Sequence, residues 1–370
     1  MAVRILHCHS TFAAGGKEAR ATRLMNALGD AARHVVLSAV PGALGARDLI
    51  EKGIAVEFPQ AAPPLTGKPS LERYRALAGY MRRFDLVLTY NWGAIDAVMA
   101  RRMFAKELPP LIHHEDGFNA DEAGGLKTRR NLFRRLALPA AHALVVPSAA
   151  LERIALRVWK QPARRVHRIA NGVDVSAYGE PPRPVPGFRK QRGDIVIGTL
   201  AGLRAVKNLP RLVRAVAPIP NAKLLILGEG PERAAIAAEA ARLGMAKRLI
   251  MPGFVADPAK VLGHFDIFAL SSDSEQAPIS LIEAMAAGLP VAATDVGDIA
   301  AMLPAGQRAF VGADLPGALM RLAGDGVLRR TLGDANRAVA KTQYNEADMI
   351  AAYKALYEGA AGRPGALGDS

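Results

Sequence analysis

The chain has 370 residues, half of them apolar, and a net charge of +14. It is long enough for two domains with a sizeable buried core and too apolar for wholesale disorder. A single cysteine, Cys8, permits no internal disulfide, so nothing asks for an oxidising compartment.

The opening MAVRIL is too short an apolar run for a signal peptide, and no window approaches the roughly 18 apolar residues of a membrane span. The expectation is a soluble or peripheral cytoplasmic protein, with any attachment on the inner face of the cytoplasmic membrane.

Short apolar strands alternate with amphipathic helical stretches, the pattern of parallel sheets with crossover helices. In chain order the first half offers VRILHCHS, HVVLSAV, IAVEF, FDLVLTY, PPLIHHE and HALVVPS as strands. Residues 178–194, YGEPPRPVPGFRKQRGD, are too rich in proline, glycine and charge for a helix or central strand, and read as a linker. The second half offers DIVIGTL, KLLILGEG, RLIMPGF, DIFALSS and PVAAT. The expected fold class is therefore α/β, with two Rossmann-like doubly wound domains, 1–177 and 195–344, facing across a cleft. Ligands of such sheets bind beyond the carboxyl ends of the strands. The stretch 345–360 has helical periodicity and is expected to pack back on the first domain. The tail AAGRPGALGDS reads as frayed.

Charge is uneven: residues 1–180 carry net +10 and the rest +4. A basic half suggests an anionic partner such as phosphate esters, nucleic acid or an acidic membrane. Two tryptophans, seven tyrosines and no recognition module argue against nucleic acid. Within LKTRRNLFRRLALPAAH, Lys127, Arg129, Arg130, Arg134 and Arg135 alternate with Leu126, Leu132, Phe133 and Leu136. A basic amphipathic helix over residues 126–136 suits an anionic membrane surface.

Three segments offer chemistry. In HCHSTFAAGGKEARATRLMNAL a strand turns at Gly15-Gly16 into a helix, which lets backbone approach a ligand and offers free N–H groups to anions. In LAGLRAVKNLPRLVRAV, Arg204 and Lys207 stand at the mouth of a strand–loop–helix, where two cations match a diphosphate. In SSDSEQAPISLIEAMAAGLPVAATDVGD, residues 271–298, Glu275 precedes an apolar helix and Glu283 lies on it. Eight residues span up to about 12 Å of helix axis, too far for a proton-sharing dyad but suited to two ends of one elongated ligand. Glu283 sits in a stretch apolar enough to be buried, and a buried carboxylate needs a hydrogen-bonding partner.

These residues resemble a known family. The Glu-x7-Glu spacing with EAMAAGLPVAATDVGD, NGVDVSAY at 171–178, the Lys207-Asn208 loop and the Gly15-Gly16-Lys17-Glu18 turn look like the retaining glycosyltransferases of family 4. The resemblance runs in order along nearly the whole chain and implies the glycosyltransferase-B fold. It implies transfer of a hexose-type sugar, with retention, from a UDP- or GDP-sugar to a hydroxyl acceptor, a saccharide or glycolipid of the cell envelope.

By that resemblance Glu283 would hold the ribose hydroxyls and Glu275 the donor sugar near its anomeric centre. Lys207, helped by Arg204, would neutralise the diphosphate. Gly15 and Gly16 would let their loop approach the donor phosphates and acceptor, and Gln276, Ala277, Pro278 and Ile279 would line the donor. A strand-end histidine would face the sugar. Of His113 and His114, alternation points one inward, and His114 is the choice.

Three departures stand out. Gly202 replaces a frequent arginine, with Arg204 two residues on as a substitute. Glu-Gln-Ala-Pro at 275–278 replaces Glu-Gly-Phe-Gly, and Pro278 has no N–H to give. Asp298 replaces a glycine. No metal cluster or Asp-x-Asp is visible, so no metal or other cofactor is expected. A nucleotide-sugar epimerase or a non-catalytic binding relative are the alternatives on the same fold.

Overall fold

The computed structural model describes residues 2–106, 108–118, 122 and 125–368. The chain divides into two compact units, Met1–Ala170 with Ala347–Ser370, and Asn171–Glu346.

In the first unit the strands are β1 (Val3–His9), β2 (Ala32–Ser38), β3 (Val56–Glu57), β4 (Leu86–Tyr90), β5 (Leu111–His114), β6 (Ala143–Val146) and β7 (Val166–Arg168). They form one parallel sheet in the order β3-β2-β1-β4-β5-β6-β7. The helices are α1 (Gly16–Leu28), α2 (Leu71–Met81), α3 (Ile95–Met103), α4 (Thr128–Ala137) and α5 (Ala149–Arg157). Strand β1 is buried at every position but Arg4, as expected of a strand covered on both faces. The sequence pattern misses β7. It has three residues at the sheet edge, two partly exposed and one exposed, too few to show a period.

The second unit holds β8 (Ile195–Leu200), β9 (Ala222–Leu227), β10 (Leu249–Gly253), β11 (Ile267–Leu270) and β12 (Val291–Ala293). Their order is β10-β9-β8-β11-β12, again all parallel. Its helices are α6 (Leu209–Val216), α7 (Arg233–Arg242), α8 (Ile279–Ala286), α9 (Ile299–Met302), α10 (Leu315–Gly324) and α11 (Gly326–Gln343). Helices α8 and α11 meet closely, since a Cβ on Gly333 would come within 2.0 Å of the Gly288 carbonyl oxygen.

The proline-rich stretch 178–194 lies within this second unit. Tyr178 and Val185 are buried in its core, and the Arg183 N–H donates to the Lys260 carbonyl at 2.7 Å. NGVDVSAY also has a structural task. Where the chain enters the unit, Val173 forms a parallel bridge with Asn345, where it leaves. The Val173 N–H donates to Tyr344 O, and Glu346 N–H donates to Val173 O. Gly172 permits the approach, because a Cβ there would sit 2.7 Å from Asn345 O.

The final helix, α12 (Glu346–Ala361), returns to the first unit. Its Met349, Tyr353 and Tyr357 join the core formed by Ile5, Leu88 and Ile112. The expected frayed tail is corrected over the described residues. Leu367 is buried in the same core, its N–H donates to Glu358 Oε1 at 2.9 Å, and Lys354 Nζ reaches Gly368 O. A leucine flanked by glycines carries too little periodicity to signal docking.

Candidate functional site

In the second sheet β8 leads to β9 and β10 on one side, while β11 and β12 lie on the other. The order reverses between β8 and β11, and ligands of doubly wound sheets bind beyond the strand ends at such a reversal. The two loops leaving that point are 201–208 and 271–278, which carry nearly all the residues singled out in this half.

Lys207 Nζ lies 2.5 Å from Glu275 Oε1, and the Ser272 hydroxyl donates to the same oxygen at 2.6 Å. The side chains are 16 % and 9 % exposed, so the pair is sheltered but open to a ligand. Secondary bonds hold both loops: Ser271 Oγ donates to Lys207 O, Asp273 N–H to Val206 O, and Thr294 Oγ1 to Ser272 O at 2.6 Å. Ser272 and Thr294 escaped the sequence reading, because a lone hydroxyl in a polar loop gives no pattern.

Glycines let these loops close on one another. Gly297 has φ +62, and a Cβ there would meet Glu275 O at 2.2 Å. The DVGD turn therefore braces the Glu275 loop, and Asp298 N–H donates to Gln276 O at 3.0 Å. From the other side Asn171 Nδ2 donates to Ala277 O at 2.9 Å. Pro278 caps α8 with φ −67, a geometry its ring favours. Ile279 opens the helix, and Glu283 lies within it at 7 % exposure.

Gly202 and Arg204 are both exposed. A Cβ on Gly202 would lie 3.6 Å from Arg204 Nε. The Arg204 side chain thus folds over the very position where a side chain at 202 would begin.

In the first sheet the order reverses between β1 and β4. Gly15 caps α1, with Gly16 its first residue, so the turn and helix start where predicted. The Glu18 carboxylate folds back on this turn: a Cβ on Gly15 would stand 2.8 Å from Glu18 Oε2, and Lys17 Nζ pairs with Glu18 Oε1. Burial raises the Glu18 carboxyl above its usual range, opposed by Lys17.

His114 lies in the core. Its Nδ1 is 3.2 Å from Thr89 O and its Nε2 3.1 Å from Tyr357 OH. Burial, reinforced by the Arg20 cation, pushes its imidazole down to about 3. His113 is buried too, with Nδ1 2.8 Å from Thr89 Oγ1. Alternation sends the two rings to opposite faces, but both faces are covered, so neither ring reaches solvent.

Around His114 lies a polar core that sequence patterns do not reveal. His9 stacks on Tyr90 at 4.0 Å, Tyr90 on His114 at 4.6 Å, and His7 bonds Tyr90 OH and His34. Arg20 clamps Asp116 through both terminal nitrogens. Burial would raise the Asp116 carboxyl, but the Arg20 charge and its hydrogen bonds hold it below the usual range.

Helix α4 is sorted differently from its sequence reading. Arg134, placed on the membrane-facing side by pattern, is fully buried. It bonds Glu115 and Glu122 at 3.2 Å and lies over the rings of Trp92, Phe118 and Trp159. Arg130 turns to Glu122 at 2.8 Å, and Phe133 packs on the core. Leu132, Leu136, Lys127, Arg129 and Arg135 form the exposed side. Among the described residues no helix is long and apolar enough to cross a membrane.

Two doubly wound parallel sheets, the second with a lysine–glutamate pair at its reversal, define an α/β protein of two Rossmann-like units. Comparison makes the class specific. The family model for glycosyl transferases group 1 matches residues 186–315 and that for glycosyltransferase family 4 matches residues 5–177. The chain belongs to the group 1/family 4 glycosyltransferases.

It is 27 % identical over 210 residues to N-acetyl-alpha-D-glucosaminyl L-malate synthase of Bacillus anthracis, covering 53 % of this chain and 54 % of that one. To the lipopolysaccharide core biosynthesis glycosyltransferase LpsE of Rhizobium meliloti it is 27 % identical over 199 residues, covering 54 % and 55 %. These matches span about half the length of either relative. The fold is glycosyltransferase-B, like that of Anabaena HepE in complex with UDP and glucose. That likeness has a TM-score of 0.76 at 20 % identity, over 96 % of this chain and all of the other.

Proposed function

We propose that this protein transfers a hexose-type sugar from a nucleotide-diphosphate sugar to a hydroxyl of an envelope saccharide or glycolipid, with retention of configuration. The observation that carries the proposal is the sheltered Lys207–Glu275 pair at the reversal of the second sheet, with the buried Glu283 eight residues beyond Glu275. The fold likeness to a HepE complex with UDP and glucose makes UDP the first nucleotide to test and GDP the second.

Lys207 stabilises the diphosphate as it departs, and Arg204, folded over Gly202, adds a second cation. Preorganised charge of this kind lowers the barrier because no solvent must reorganise as charge develops. Glu275, fixed by Ser272, holds the sugar hydroxyls near the anomeric carbon. The Gln276–Ile279 turn lines the donor. Pro278 gives no N–H, so the opening turn of α8 supplies the donors. Glu283 takes the ribose hydroxyls.

The acceptor hydroxyl attacks on the face the diphosphate leaves. A departing phosphate oxygen accepts the acceptor's proton, and no covalent enzyme intermediate forms. The Gly15–Gly16 turn offers bare backbone and the free N–H groups of the α1 N-terminus, which suit a phosphate. His114 fits a supporting part better than the sugar contact the resemblance implies, since Thr89 O and Tyr357 OH already occupy both ring nitrogens. The exposed Leu132, Arg135 and Leu136 suit a peripheral seat on the anionic inner face of the cytoplasmic membrane.

The test is a thermal-shift series with UDP, GDP, ADP and their sugar conjugates. Ligand at a hundred times its dissociation constant adds about 2.7 kcal/mol. One nucleotide is expected to raise Tm in the native protein and less in Glu283→Ala. No shift with any nucleotide would overturn the donor site.

A further inference from the structure

One cavity takes no part in the site so far. It opens in the first unit between the loop after β4 and the first turn of α4, with a volume of about 560 Å³. Trp92 and Phe133 supply its apolar walls, and Lys127, Thr128, Arg129 and Arg130 the rest of the lining. A concave space of this size, apolar with a few convergent polar groups, is typical of a small-ligand pocket.

Its place in the fold is the one such sheets use. Trp92 leaves the carboxyl end of β4, beside the reversal between β1 and β4. The loops from those two strands lock together there: a Cβ on Gly93 would come within 2.6 Å of Ser10 Cβ. The wall of the cavity is therefore held by the sheet edge.

Its charge is equally pointed. The first turn of α4 has no acidic residue, and cations at a helix N-terminus oppose the helix dipole. The Glu122 carboxylate answers part of this, accepting from Lys127 N–H and Arg130 and pairing with the buried Arg134. Arg129 is exposed with no ion-pair partner among the described residues. A solvated helix face accounts for one exposed cation. It does not account for two, Lys127 and Arg129, at the unfavourable end of a helix and gathered with Arg130 round an aromatic-walled cavity.

We propose that this cavity is the acceptor subsite and that it takes a saccharide bearing a phosphate or carboxylate. The sugar lies against Trp92 and Phe133, and its anion meets Arg129 and Lys127. The word acceptor rests on the transferase reading above; the binding of an acidic sugar does not. A soluble phosphosugar and a lipid-linked one share this chemistry.

The experiment uses tryptophan emission of the full chain. Trp159 is buried and Trp92 only partly so, and Trp92→Phe identifies the local signal. Titration with glucose 6-phosphate should give a saturable change, absent in Trp92→Phe and at least tenfold weaker in Lys127→Gln/Arg129→Gln. Glucose alone should give none. Glucose carried on a dodecyl phosphate in neutral detergent would bind tighter if the natural acceptor is lipid-linked, and equally if it is soluble.

Equal responses to glucose and glucose 6-phosphate would overturn the proposal, as would no response to either. So would inorganic phosphate binding as tightly as the phosphosugar, or a response confined to phosphatidylglycerol vesicles, which would make the surface a membrane face. Tm shifts with nucleotide in the same sample separate failure here from failure of the transferase reading.

Discussion

The two units share one architecture and spend their polar residues in opposite ways. The first holds seven of the eight histidines and buries Arg20, Arg134, Glu18, Glu115 and Glu122 besides. Among the described Asp, Glu, Lys, Arg and His side chains of the second, only Glu283 and Asp298 are buried, and its Lys207, Glu275 and Arg204 stand on loops at the sheet edge. One unit turns charged groups and histidines inward to build a core that also receives α12; the other buries mainly neutral polar groups, Gln307 and Asn336 among them, and sends charge to its rim. A perturbed or buried ionisable residue is often a functional candidate. Here the denser cluster of such residues is structural, and the sparser one fits the chemistry.

The largest effect that sharpens this contrast belongs to Arg134. Removing one partner of a buried charge network leaves the others unpaired, at a cost of about 3–5 kcal/mol. Arg134→Ala should lower Tm by roughly 10 °C, taking 2–4 °C per kcal/mol for a domain of this size. Calorimetry that found Tm unchanged would show the cluster is not structural. Lys207→Ala should do the reverse: Tm nearly unchanged, turnover down about 10²–10³-fold, the scale of losing one preorganised charge-stabilising donor. Wild-type turnover in that variant would move the diphosphate site elsewhere.

A smaller effect belongs to Glu283. Hydrogen bonds to a charged group contribute about 1.5–3 kcal/mol, so Glu283→Ala should weaken nucleotide binding about tenfold or more by titration calorimetry. An unchanged dissociation constant would remove the ribose assignment and leave Glu283 as an internal support of α8.

The contrast also explains what the sequence made legible. Loops at a sheet reversal are read from order alone: strand, turn residues, helix. The segments holding Gly15, Lys207, Glu275 and Glu283 are therefore legible in the sequence. Arg20 with Asp116 was not, because the partners stand 96 positions apart and neither lies in a local pattern. Arg134 was misplaced for a related reason. A helical wheel sorts cations outward, whereas Glu115, Glu122 and three aromatic rings, all distant in space until folding, draw this one in. His114 was found at its strand end but not its surroundings, since α12 covers it from more than 200 residues away.

The histidine core adds a test by pH, with an effect that is modest for each group. Burial pushes His34 down to about 4 and His114 to about 3, and pushes His7 and His9 down as well. In the unfolded chain these groups bind protons near pH 6.5. Below that value the unfolded state takes up more protons than the folded one, so stability falls as pH falls. Their contribution is complete above about pH 6.5 and is lost progressively on acidification toward 4. The slope is about 1.4 kcal/mol per pH unit for each histidine fully protonated only when unfolded. The second unit's one histidine, His264, is outside this core, so the loss should fall on the first unit. Hydrogen exchange followed from pH 7 to pH 5 should show amides of β1, β4 and β5 losing protection before those of β8 and β9. Equal loss in both sheets would mean the ring stack is already protonated when folded, and the inward use of charge in the first unit would need another cause.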